Sequence, residues 1–143
     1  MLSVQATSLI HFVATWTMVG VIWFVQVVHY PLFARVSGSE YRDYMAGHTR
    51  MTTWIVGPPM LIEASTSALL VLRASSDVEV FVAWVGLALV AVIWMSTWLL
   101  QVPRHRALSD GFDPRTHAAL VSTNWIRTIA WSLRGFLAVW WLV

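Results

Sequence analysis

Asn124, Arg127, Trp131 and Arg134 stand three, four and three residues apart in the last apolar run of the chain, which ends Trp140-Trp141-Leu142-Val143. That spacing puts all four on one stripe of a helix. An arginine at bilayer depth costs at least about 2.5 kcal/mol, so the stripe must face protein or a wet cavity. Arg127 has no acid at its own depth, which makes it a candidate to meet an anionic or carbonyl group of a substrate. The plainer reading hydrogen-bonds it to Gln26, Gln101 and helix-end carbonyls. Glu63 lies about 13 residues inside the second apolar run and Arg134 about 14 inside the last, so the two charges are depth-matched at a rise of about 1.5 Å per residue. An ion pair between them is the first expectation, and a proton acceptor or metal ligand is the second role open to Glu63. The catalytic candidates are therefore Arg127, Glu63 and Asn124.

His29, His48 and His105 fall at three different helix ends on one side of the chain's predicted arrangement. Bundle cores build metal sites from such convergence, and histidine is the commonest ligand. With Glu63 as a fourth ligand across the Gly57-Pro58-Pro59 kink, the set would suit iron or copper, and zinc equally by donor type. Haem has less support, because no attachment motif is present. No two of the histidines show a local ligand spacing such as HExxH, so the expectation rests on the topology. His11 lies toward the other face and His117 in a loop; neither is counted as a ligand.

These side chains need elements to hold them, and composition says which kind. Of 143 residues 58% are hydrophobic and only 11% charged, with ten tryptophans. A soluble domain carries about 25% charged residues. Four runs, about 9–29, 53–72, 80–100 and 120–143, approach the roughly 20 residues that span a hydrocarbon core. The expected fold is all-α, a polytopic membrane four-helix bundle forming one domain. The first run lacks a basic start and a small-residue cleavage site, so it is read as a permanent helix rather than a signal peptide. Tyr41 to Arg50 could form an interfacial helix leading into the second run. There is no cysteine, which excludes disulfides and thiolate ligands. No internal repeat is visible.

The loop between the first two helices holds Arg35, Arg42 and Arg50, and the loop between the last two holds Arg104, Arg106 and Arg115. The opposite face has Arg73 beside Asp77 and Glu79. The positive-inside rule then predicts cytoplasmic connections and two periplasmic termini in a bacterial inner membrane. Trp16, Trp84, Trp140 and Trp141 fit an outer aromatic belt, and Trp54, Trp125 and Tyr30 an inner one. Trp94, Trp98 and Trp131 lie deeper and could line an apolar pocket. The expected partners are the lipid bilayer and a hydrophobic small molecule. No nucleotide loop is present, and nucleic acid is not expected.

From Thr97 the chain reads Val102-Pro103, His105, Leu108 and, after a connection, Asn124-Trp125-Ile126-Arg127-Thr128; Pro31-Leu32 and Pro58-Pro59-Met60 precede these. This order resembles the anthrone-oxygenase-like family of small four-helix membrane proteins over nearly the whole chain. Many members carry asparagine two residues after the third-helix proline, where this chain has His105. Some fungal members are linked to oxidation of anthrones to anthraquinones. The resemblance implies a membrane oxidoreductase or oxygenase acting on a hydrophobic aromatic or quinone-like molecule. Two other classes stay open: a non-catalytic metal- or haem-binding module, and a small transporter, which with four helices would require a homo-oligomer.

Overall fold

The computed structural model describes residues 3–36, 38 and 40–142. Four long helical rods make up an all-α bundle, with no strand among the described residues. The first rod, Val4–Arg35, consists of α1 (Val4–Phe24), a π-helical turn (Val25–His29), a short α2 (Tyr30–Leu32) and a 3₁₀ turn (Phe33–Arg35). The second is one continuous helix, α3 (Glu40–Arg73). The third runs through α4 (Asp77–Ser96), a second π turn (Thr97–Gln101) and α5 (Val102–Ser109). The fourth is α6 (Pro114–Trp140).

Every rod is longer than the apolar run that announces it, and polar residues cap the starts of the first, third and fourth. Ser3 accepts from the Ala6 amide, and Ser76 and Glu79 form a capping box. Asp113 accepts from the Thr116 amide ahead of Pro114, and hydrogen bonds with Thr116 hold its carboxylate below the usual range. Tyr41 to Arg50 is thus the first part of α3 rather than a separate interfacial helix. His117 lies on α6 rather than in a loop. The helix is continuous through Pro58 and Pro59.

Prolines act instead in the first and third rods. Each π turn ends two residues before a proline, Pro31 or Pro103. A proline takes away the amide that would bond the carbonyl four residues back. The backbone re-registers ahead of it: the Tyr30 amide donates to the Val25 carbonyl and the Val102 amide to the Thr97 carbonyl, both five residues back. The extra residue in each turn sets the direction of Tyr30, Gln101 and His105.

Around the bundle the order is α1, α3, α4, α6, so that α3 and α6 face each other across a diagonal. Two apolar clusters fill it. Met18, Ile22, Met60, Ile93 and Trp131 lie at mid-height, and Tyr30, Phe33, Met45, Leu108 and Leu120 at the arginine-rich end. Near Gly135 the backbones of α1 and α6 come close: a Cβ there would lie 3.2 Å from Val19.

Outside, the polarity is that of a lipid-facing protein. Leu9, Trp54, Ile55, Leu72, Phe81, Leu99 and Phe136 are exposed, whereas His11, Gln26, Glu63, Gln101, Asn124 and Arg134 are buried. Three rods, Val4–Arg35, Glu40–Arg73 and Asp77–Ser109, are long and apolar enough to cross a membrane. The fourth has comparable length, about 40 Å for its 27 residues, but spends part of its apolar character on the inward stripe that carries Asn124, Arg127 and Arg134. This is a membrane-type helical bundle.

Candidate functional site

Mid-height in the bundle, Arg134 and Glu63 form the depth-matched ion pair across the α3–α6 diagonal, with Arg134 Nε 2.8 Å from Glu63 Oε1. The pair is closed off from its surroundings, at 1% and 3% exposure. Its remaining valences are filled: Trp131 Nε1 donates to Glu63 Oε2 at 2.9 Å, Arg134 Nη2 donates to Ser67 Oγ at 3.0 Å, and Arg134 Nη1 donates to the Gly86 carbonyl. A buried charge pair is tolerated when its other lone pairs and protons are satisfied in this way. His11, just beyond, shares a hydrogen bond with Thr66 at 2.9 Å and takes no part in the pair.

Toward the arginine-rich end a cavity of about 360 Å³ opens between the rods. Met18, Val21, Ile22, Val25 and Val56 give it apolar walls, while Tyr30, His48, Gln101, His105 and Arg127 supply polar groups; Thr49, Thr53 and Arg106, all exposed, stand at its rim. Its size and lining are those of a small-molecule site. Among the tryptophans expected near such a pocket, Trp131 is fully buried beside it, but Trp98 faces outward and Trp94 packs at the edge of the mid-height cluster.

Arg127 is held from behind. Its Nη1 donates to Asn124 Oδ1 at 3.3 Å, and its guanidinium carbon sits 5.1 Å from the centroid of Trp131. Asn124 is fixed in turn by donating to Gln26 Oε1 at 2.9 Å, and Gln26 donates to the Val121 carbonyl at 3.2 Å. The direct contacts of Arg127 with Gln26 and Gln101 foreseen from sequence are therefore replaced by a relay through Asn124. Gln101 instead donates to Thr123 at 3.0 Å.

The three histidines do converge. His29 Nε2 and His48 Nδ1 share a hydrogen bond of 2.8 Å, the His48 and His105 rings lie 5.3 Å apart, and Phe33 packs among all three. Tyr30, assigned from sequence only to an aromatic belt, is buried here with its hydroxyl 2.8 Å from His105 Nε2. Its four-residue spacing from Gln26 was the available signal.

The arrangement lends the metal reading no support. One nitrogen of each ring is turned to a neighbour: Thr52 Oγ1 is 3.1 Å from His48 Nδ1, and His105 Nε2 is taken by Tyr30. Glu63 does not join them, since both its oxygens are committed to Arg134 and Trp131. Among the described residues no group of three or more His, Asp or Glu side chains is arranged to hold a metal ion. One nitrogen of each imidazole is engaged in a hydrogen bond.

Three buried polar atoms belonging to cavity-lining residues have no partner: Gln101 Oε1, His105 Nδ1 and Arg127 Nε. One is an acceptor, one a donor, and the histidine nitrogen either. The chain matches no protein-family model, no curated protein and no solved structure.

Proposed function

We propose that the protein takes a hydrophobic, aromatic, quinone-like molecule into the bundle cavity, and that the groups on the polar wall exchange protons with it. The observation that carries this reading is an apolar cavity with Tyr30, Gln101, His105 and Arg127 gathered on one polar wall. Such a wall suits an oxygen-bearing ligand, and the valine and methionine walls suit a flat apolar body. Tyr30, His105, His48 and His29 are linked by hydrogen bonds or ring contact, and such groups serve as proton acceptors and donors. The order of motifs shared with the anthrone-oxygenase-like proteins leads to the same substrate class.

Titrating the purified protein in detergent with 1,4-naphthoquinone and following tryptophan fluorescence tests the reading. Saturable binding to the wild type, lost when Val56→Trp fills the cavity, is expected. Binding that does not saturate, or that Val56→Trp leaves unchanged, would refute it. Metal analysis of the same sample addresses the alternative of a metal-binding module. About one iron, copper or zinc per chain, lost in His48→Ala, would favour that alternative.

A further inference from the structure

Arg127 is a cation that the protein does not neutralise. The side chain is 7% exposed, lies on the cavity wall and keeps its charge, because a guanidinium does not give up its proton in proteins. Its contacts are neutral: the Asn124 side-chain oxygen at 3.3 Å, the face of Trp131 at 5.1 Å and the hydroxyl of Tyr30. No carboxylate lines the cavity, whose other charged residue, Arg106 at the rim, is also positive. Glu63 is the sole buried carboxylate among the described residues, and Arg134 holds it at 2.8 Å. The two buried arginines are thus treated differently. Arg134 has its counter-ion and no unpartnered nitrogen, whereas Arg127 has no counter-ion and a buried Nε with nothing to donate to.

Buried charges are paired, because the desolvation cost of a lone one is large. The missing partner must come with the ligand. We propose that the cavity takes its ligand as an anion, an amphiphile with one ionised oxygen against Arg127 and an apolar body between α1 and α3. This rests on the cavity being the ligand site. The chemical class is an acidic hydroxyquinone or a comparable lipophilic acid, and a neutral quinone of the same shape is a weaker ligand. Arg106 at the rim adds a positive field that draws such an anion in.

The test compares 2-hydroxy-1,4-naphthoquinone, ionised at neutral pH, with its methyl ether, which has the same rings and no charge. In the wild type the hydroxyquinone should bind roughly thirtyfold or more tightly than the ether, as expected for a desolvated charge pair. Arg127→Gln should abolish that preference, the hydroxyquinone losing roughly thirtyfold more affinity than the ether. Equal affinities of the two compounds in the wild type would overturn the anion proposal and leave the cavity reading standing. Binding of neither compound would overturn both. If Arg127→Gln fails to fold, the wild-type ratio alone still decides.

Discussion

Glu63 and Arg134 show what the sequence reveals about single residues. Helix rise is constant, so counting along two apolar runs was enough to place the charges at one depth, and the bond between them follows. What counting cannot give is azimuth: the pair crosses the bundle diagonal, and Trp131, Ser67 and the Gly86 carbonyl complete it. Because the surroundings saturate both charges, removing either alone strands the other. Glu63→Gln or Arg134→Gln should each cost about 3–5 kcal/mol, and the double variant should recover part of the loss. Denaturant unfolding of the four proteins in mixed micelles measures this, and losses that simply add would mean that the pair is not coupled. The histidines were legible in the same limited sense. Their convergence followed from topology, but the choice between coordinating an ion and bonding one another is made by side-chain torsions, which spacing does not encode.

At the level of elements, the four rods were legible from hydropathy, and their ends were not, since each helix runs past its greasy centre and polar residues cap the starts of the first, third and fourth rods. The π turns were missed for a related reason. The helix stays continuous through Pro58-Pro59, whereas the backbone changes register ahead of the single prolines Pro31 and Pro103. Both kinds of site remove amide donors, and tertiary packing decides which is accommodated by a bulge. The turn before Pro103 sets the direction of His105, whose Nδ1 is one of the unpartnered atoms. Pro103→Ala restores an amide that can bond the Leu99 carbonyl, so the turn should relax toward regular α-helix and rotate α5 by on the order of 100° relative to α4. Circular dichroism should stay helical, while naphthoquinone affinity falls about tenfold or more, the effect of losing one well-placed polar contact. Unchanged affinity would show that the π turn does not position the site.

For the whole molecule the informative property is asymmetry from end to end. The cavity and its unpartnered atoms lie in the half where arginines 35, 42, 50, 104, 106 and 115 gather, and Arg42 Nε donates to the Asp110 carbonyl at 2.9 Å, tying the two connections of that end together. In the other half, Arg73 Nη1 donates to Thr7 Oγ1 at 2.7 Å, and the space beside His11 and Arg134 is only about 10 Å³. Among the described residues, the cavity with room for a ligand opens toward the arginine-rich end, past Thr49, Thr53 and Arg106. Six arginines against one is a strong bias for the positive-inside rule, which expects the open end to face the cytoplasm. Fusing alkaline phosphatase to the C-terminus in a bacterial host should give active enzyme, and a green fluorescent fusion at the same place should be dark. A dark phosphatase with a bright fluorescent fusion would reverse the orientation. The geometry of the cavity would be untouched by that result, but its ligand would then have to arrive from the periplasmic side, and the arginines at the rim would have to be explained by recognition of the ligand rather than by insertion into the membrane.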